Sequence, residues 1–334
     1  MLRPCLLVGD IGGTRATLEL HSRRGDGLRA VHAQEYPSAA FAGFDPLLAD
    51  FLDRDEVRAA GGIDCACFSV AGPVEGQASV LTNLDWRVDG AEIAARFDIP
   101  DVVLINDFAA AGHGIDALGT HDLGVLQRAV AQPHGTRLVV GAGTGLGVCV
   151  LTWQAGAYAV HASEAGHMDF APTSELQDAL LASLRRAFGR VSYERVVSGP
   201  GLLRIFSFLQ DQGAGLPSKQ LVAAMQKQDA AAAISEFALN KLDPLAVRAL
   251  ELFIEIYGAF AGNMALACLA RGGVYLAGGI ARQIAAKLAD GSFARAFTDK
   301  GRFADLLRRY PVHVVTDPRI GLKGALAVLR QHLR

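Results

Sequence analysis

The sequence predicts an α/β protein in two lobes, a duplicated α/β domain with a ligand cleft between the copies. Three observations carry this reading. At 334 residues the chain exceeds what one hydrophobic core comfortably fills. A strand, glycine turn, strand unit opens it at Cys5–Leu20 and recurs in mid-chain at Leu138–Thr152. With 51% hydrophobic and 20% charged residues there is ample apolar surface for a sizeable core, which excludes a disordered chain.

Taken in order, Leu6-Leu7-Val8 is an apolar strand, Gly9–Thr14 a turn, and Ala16–Leu20 alternates as a second strand. Cys65–Val70 is another strand, closed by the turn Ala71-Gly72-Pro73. Val102–Ile105 is short and wholly apolar, the pattern of a buried central strand. Asn106-Asp107 ends it, and an alanine-rich helix begins near Phe108. Leu138–Val140 leads into the glycine turn Gly141–Gly147, and Val148–Thr152 leads out. Ser174–Phe253 is mostly helical, interrupted by Ser198–Gly201 and a polar loop at Gln212–Lys219, and a long helix spans Ala246–Leu269. Gly273–Ala277 reads as a buried strand, Gly278-Gly279 as a turn and Ile280–Leu288 as a helix. Val312–Val315 gives a last strand and Gly321–Leu333 a closing helix. No low-complexity linker is present, so the lobes are expected to share a hinge.

A formal net charge of −2 points away from nucleic acid or an anionic membrane as partner. Arg185-Arg186 and Arg308-Arg309 lie in helix-like segments and read as solvated faces. The five cysteines, Cys5, Cys65, Cys67, Cys149 and Cys268, show no zinc spacing and read as buried thiols of a reducing, cytoplasmic compartment. Cys65 and Cys67 should share one face of their strand. Met1–Cys5 runs into a strand pattern without a signal peptide. The most apolar helix, Ile256–Ala270, falls short of the ~20 residues of a membrane span.

Glycine turns let backbone N–H groups approach phosphate oxygens, because no side chain intervenes. In Gly9-Asp10-Ile11-Gly12-Gly13-Thr14, Asp10 can hold Mg²⁺ through water, Thr14 can donate a hydroxyl, and Gly12-Gly13 leave the backbone bare. No G-K-[ST] follows, which excludes a Walker A loop. The turn leads into a strand and not a helix, which argues against a dinucleotide fingerprint. Alone it also suits a simple hairpin; the second loop, with Gly143, Thr144 and Gly145, favours a phosphate site, since two exposed glycine hairpins are costly in entropy without a ligand. Gly278-Gly279 can lie against the adenosine part of a nucleotide, or simply turn a strand into a helix.

Asp107, at a strand end and a helix start, suits a general base for an attacking hydroxyl. Asn106 beside it can bond a neighbouring hydroxyl; as a lone pair the two equally suit a helix cap. Glu164 and His167, three apart around a glycine, can converge on adjacent sugar hydroxyls, the alternative being a structural histidine. Glu194 precedes the Ser198–Gly201 turn and by itself reads as a surface glutamate.

Taken together, these residues resemble the bacterial glucokinase family of the hexokinase–actin–Hsp70 superfamily nearly end to end. The ordered motifs are G-D-I-G-G-T at Gly9–Thr14, T-N-x-x-W at Thr82–Trp86, I-N-D-F at Ile105–Phe108 and G-A-G-T-G-L-G at Gly141–Gly147. They continue with E-x-G-H-x-D-F-A-P at Glu164–Pro172, E-R-V-x-S-G-P-G-L at Glu194–Leu202, A-G-G-I at Ala277–Ile280 and D-K-G-R-F at Asp299–Phe303. The resemblance implies a two-lobed actin-like ATPase (ribonuclease-H-like) fold. A small α/β lobe would span 1–115 plus 320–334, and a large α+β lobe 116–319. It implies ATP and Mg²⁺ as cofactors, glucose as acceptor at its 6-hydroxyl, the first step of glycolysis, and a homodimer. It also implies Asp107 as catalytic base and Asn106, Glu164, His167 and Glu194 as sugar ligands. Kinases for mannose or fructose, and a non-catalytic sugar-sensing regulator, are the alternatives. ADP or polyphosphate as donor stays open. Many family members carry Asn where this chain has Arg15, which can touch the triphosphate or point to solvent. The Cys-rich zinc motif and N-terminal helix-turn-helix of ROK regulators are absent from the sequence.

Overall fold

The computed structural model describes residues 5–24, 27–81 and 84–332; segment 1–4, Thr82, Asn83 and Leu333 lie outside the described residues. The chain divides into two compact units, Met1–Leu118 with Arg319–Arg334, and Gly119–Pro318. The first begins with β1 (Cys5–Ile11), β2 (Arg15–Arg24), β3 (Gly27–Pro37), α1 (Phe44–Leu52), α2 (Asp55–Ala60) and β4 (Ile63–Val70). It continues through β5 (Val74–Glu75), β6 (Ala78–Val80), β7 (Arg87–Asp89), α3 (Gly90–Phe97), β8 (Asp101–Asn106) and α4 (Asp107–Gly114). The second holds β9 (Leu123–Gln127), β10 (Arg137–Ala142), β11 (Leu146–Gln154), β12 (Ala157–Ser163), α5 (Glu175–Phe188), α6 (Gly199–Asp211), α7 (Lys219–Lys227) and α8 (Ala230–Leu239). After α9 (Pro244–Cys268) come β13 (Gly273–Ala277), α10 (Gly279–Gln283), α11 (Ala285–Leu288), α12 (Ser292–Thr298), α13 (Ala304–Leu307) and β14 (Val312–Val315). The chain then returns to the first unit as α14 (Ile320–His332).

The two main sheets share one plan. The first runs β3-β2-β1-β4-β8 and the second β12-β11-β10-β13-β14, with β9 added antiparallel beyond β14. In each, a central strand pairs antiparallel with its hairpin partner and parallel with the strand on its other side. The repeated glycine hairpin is therefore the seed of a repeated sheet.

Burial on both faces explains the unbroken apolar run of β1. Leu6 and Val8 meet Cys65, Cys67 and the α14 residues Leu322, Ala325 and Leu329. Leu7 and Ile11 face the other way, into a core with Phe44, Leu48 and Phe51 of α1. The two thiols do share a face, and burial pushes them up, Cys65 to about 11 and Cys67 to about 12. None of the five cysteines is in a disulfide.

Val102–Ile105 departs from the expected central position: β8 is the outer strand of its sheet. Helices cover both its faces, with Leu104 in one apolar cluster and Val103 and Ile105 against the other, so its apolar run reports covered faces and not two neighbouring strands. Its outer side is closed by Gln77, whose Oε1 accepts the Leu104 N–H at 2.8 Å. Ile280–Leu288 is likewise two short helices, because the fully buried Ile284 takes φ −98° and ψ 16° as it enters the second core.

In the second unit α9 carries Phe253, Tyr257 and Phe260, all fully buried. The Tyr257 hydroxyl donates to the Val140 carbonyl at 3.3 Å, tying this helix to β10. The helix starts upstream of Ala246, with Asp243 capping the Ala246 N–H at 2.9 Å and Pro244 in its first turn. Among the described residues no helix is long and apolar enough to cross a membrane.

Where the chain re-enters the first unit, Arg319 pairs with the buried Glu19, which also bonds His21 at 3.2 Å. The helix that follows packs backbone to backbone on α4: a Cβ at Gly324 would lie 1.7 Å from the Ala110 carbonyl oxygen. Gly324→Ala must push the two helices apart and is expected to cost ~1–3 kcal/mol. Urea unfolding followed by circular dichroism tests this; an unchanged midpoint would show that the contact bears no load.

Candidate active site

In the first unit the turn after β1 is held from below. The fully buried Ser38 donates its hydroxyl to the Gly12 carbonyl at 2.8 Å and its N–H to the Thr14 carbonyl at 3.0 Å. Gly12, Gly13 and Thr14 form the tip, while Gly9 and Ile11 are buried within β1. A Cβ at Gly9 would come within 2.6 Å of Leu18 and 2.7 Å of Phe68, so packing alone demands glycine there. The Asp10 carboxylate accepts a hydrogen bond from Ser69 at 3.0 Å and lies against Gly321 in the first turn of α14. Burial pushes its pKa up, and the Ser69 bond offsets part of that.

Asn106 and Asp107 divide the work at the end of β8. Asn106 is the helix cap: its Oδ1 accepts the N–H groups of Phe108 at 2.9 Å and Ala109 at 3.2 Å, and its Nδ2 donates to the Gly72 carbonyl at 3.1 Å. Asp107 is the first helical residue, half-buried, with its Oδ1 also 2.9 Å from the Phe108 nitrogen. A carboxylate at that place is favoured as the anion by the helix dipole. Arg15 pairs with Glu35 at 3.3 Å, both side chains more than half exposed, which places it among surface ion pairs.

In the second unit the candidate residues gather around Leu146. Glu194 accepts the Leu146 N–H at 3.0 Å through the space left by Gly145, where a Cβ would sit 2.6 Å from the same carboxylate oxygen. On the other side of Leu146, its carbonyl lies against Gly166, where a Cβ would be only 1.9 Å away. Gly166 stands between Glu164 and His167, whose Oε2 and Nε2 are 4.0 Å apart on exposed side chains. One residue of backbone thus joins the glycine loop to all three acidic and imidazole candidates.

The loop is braced on two more sides. Gly199, at the start of α6, donates its N–H to the Gly143 carbonyl at 2.8 Å. Gly278, at φ +90°, lies where a Cβ would meet the Ala142 carbonyl at 2.7 Å. Gly143 and Gly279 are different. Each has open space where a side chain would be, and neither needs the left-handed conformation. Packing does not explain glycine at these two positions, and both leave bare backbone open to approach.

Sequence reasoning missed the supports. Ser38 and Ser69 come from other strands and turns, and Arg190 binds the segment around His167 by donating to the His167 carbonyl at 2.8 Å and pairing with Asp169 at 2.7 Å. No local pattern marks such partners. The expected T-N-x-x-W motif is described only from Leu84 onward; Trp86 is buried in the first core, and Thr82 and Asn83 lie outside the described residues.

The family model described as Glucokinase matches residues 7–332. A glucokinase from a Synechocystis species is 44% identical, over 97% of this chain and 98% of that protein. Among solved structures, a glucokinase from an Antarctic psychrotroph aligns with a TM-score of 0.81 at 30% identity, covering 98% of this chain and 99% of that one. A ROK family glucokinase from Streptomyces griseus, solved with glucose and AMPPNP, aligns at 0.64 and 20% identity over 98% and 99%, a likeness of fold. The architecture is accordingly that of the actin-like ATPases. With matched sequence, matched fold and the loop-centred cluster all in agreement, the chain belongs to the glucokinase family of enzymes.

Proposed function

We propose that the chain transfers the γ-phosphoryl group of ATP to the 6-hydroxyl of glucose, giving glucose 6-phosphate and ADP, the first step of glycolysis. The observation that carries this is the double attachment at Leu146, which couples a glycine loop open at Gly143 to the cluster of Glu164, His167 and Glu194. A loop suited to phosphates and side chains suited to sugar hydroxyls are then parts of one rigid assembly. The full-length glucokinase relatives, and the AMPPNP and glucose bound by the Streptomyces griseus enzyme, support donor and acceptor alike.

Asp107 acts as general base, drawing the proton from the attacking hydroxyl, with Asn106 fixing the start of α4 beside it and offering an amide to the sugar. Glu164, His167 and Glu194 hold ring hydroxyls; groups so placed reject analogues that lack them. The tip Gly12, Gly13 and Thr14, carried by the buried strand residues Gly9 and Ile11 with Asp10 between them, and the loop of Gly143, Thr144 and Gly145 bind the phosphates, with Gly278-Gly279 at the adenosine. Phosphoryl transfer depends mainly on positioning and charge stabilisation, which bare backbone on braced loops provides.

Asp10 fits a role toward Mg²⁺. It is a carboxylate held at some cost of burial, with the Ser69 hydroxyl as its hydrogen-bond donor. That suits a metal held by one carboxylate, waters and substrate phosphates. Bound Mg²⁺ would neutralise charge on the phosphate oxygens. Five cysteines outside any disulfide, four of them buried, accord with a cytoplasmic, reducing compartment, and a homodimer is what the resemblance implies.

With Mg-ATP and glucose the purified protein is expected to release ADP in step with glucose 6-phosphate. Asp107→Ala should lose at least ~10² in turnover while still binding sugar; near-normal turnover would remove Asp107 as base. Glu164→Gln and His167→Ala should raise the KM for glucose and leave that for ATP, so a change confined to the ATP KM would reassign both residues. For Asp10 the sign is set by linkage. Its folded pKa is raised, so the carboxylate detracts from stability once pH climbs through the folded value. Asp10→Asn should therefore raise the thermal midpoint at pH 7 in the absence of ligands, with the gain fading as the pH falls to the ordinary carboxylate range, while turnover drops. A lowered midpoint at pH 7 would contradict this.

A further inference from the structure

The D-K-G-R-F segment has no part in the site above. It forms one wall of a groove of about 570 Å³ that lies wholly within the second unit, a volume usual for small-molecule sites. The start of α5 at Thr173 and Ser174 forms a second wall, and α9 at Glu255 and Ala259 the floor. Arg295 and Lys300 both line this space, and neither forms an ion pair among the described residues. Lys300 is half-buried, with its ammonium directed to the Asp299 carbonyl at 3.2 Å, and burial pushes its pKa down. Arg308, also in the lining, is already taken by Asp305.

Neither cation is locked in an ion pair, although Glu255 lies within Coulombic reach of Arg295 and Asp299 within reach of Lys300, so both can turn to an anionic ligand. The same lining carries Glu255 and Asp299, which would repel a bare anion but accept hydrogen bonds from hydroxyl groups. Burial and the neighbouring Glu251 push the Glu255 carboxyl up, with Arg295 offsetting part of it. Cations beside hydroxyl acceptors are the complement of a molecule with an anionic end and a polyhydroxy body. We propose that this groove binds a phosphomonoester of a small polyol, a phosphorylated sugar, with its phosphate on Arg295 and Lys300 and its hydroxyls on Glu255 and Asp299. The floor gives such a site a neighbour of consequence. One turn beyond Ala259, Asn263 donates to the Tyr193 hydroxyl at 3.0 Å, and Tyr193 precedes Glu194.

Titration calorimetry with glucose 6-phosphate tests this, with glucose held at saturation so that the product's sugar cannot enter the reaction site; the choice of blocker rests on the proposed reaction. One site per chain is expected in the unsubstituted protein, weakened at least ~10-fold by Arg295→Gln and by Lys300→Gln. Inorganic phosphate should bind more weakly than the sugar phosphate. Arg295 is exposed, so its variant should keep the wild-type melting curve and the wild-type turnover without added product. Equal affinity in wild type and both variants, or no binding at millimolar concentration, overturns the proposal. Failure of the proposed reaction would instead show as absent glucose phosphorylation by the wild type, a result independent of these titrations.

Discussion

The carboxylate of Glu194 reaches the Leu146 amide only because position 145 has no side chain. Everything else in the second unit's site is arranged about that approach. Gly166 lets the Glu164–His167 turn lie on the same residue from the opposite side, and Gly278 closes on the strand that feeds the loop. Glycines here fall into two kinds. Those at 145, 166 and 278 are occupied by neighbouring atoms, so a larger residue would displace the site. Those at 143 and 279 face open space, so their smallness serves whatever lies there. The distinction separates the frame of the site from its working surface.

The first unit achieves its rigidity with side chains. Asn106 satisfies two amides of α4 and a carbonyl of the preceding turn, which spends most of its hydrogen-bonding capacity on geometry. Asp107 is thereby relieved of the main capping duty that a lone Asn-Asp pair leaves ambiguous. Asp10 is placed differently, as a carboxylate that burial pushes toward its neutral form while the Ser69 hydrogen bond offsets part of that.

Much of this was legible in the sequence because it is local. The two glycine hairpins, the strand beside each, and the carboxylates at 10 and 164 are marked within a few residues, whereas Asp107 locally suits a helix cap as well and Glu194 by itself reads as a surface glutamate. The start of α9 was also legible in principle, since Asp243-Pro244 is a cap followed by a helix-opening proline. What escaped was either distant or ambiguous. Ser69 lies far along the chain from Asp10, Ser38 from Gly12, and Gln77 from Leu104, and no spacing rule links such pairs. The outer position of β8 escaped for another reason: helices on both faces produce the same apolar run as a central place in the sheet.

The close seat of α14 on α4, with the Arg319–Glu19 pair at its entrance, has a consequence for how the chain is made. The first unit's sheet is translated early, yet the helix that covers Leu6, Val8, Cys65 and Cys67 follows the whole of Gly119–Pro318 in the chain. During synthesis the second unit is contiguous and can complete itself first, while the first waits with one face of its sheet bare. That exposed apolar face is the hazard of a discontinuous domain, and it is the interval in which a nascent chain of this design depends most on chaperones.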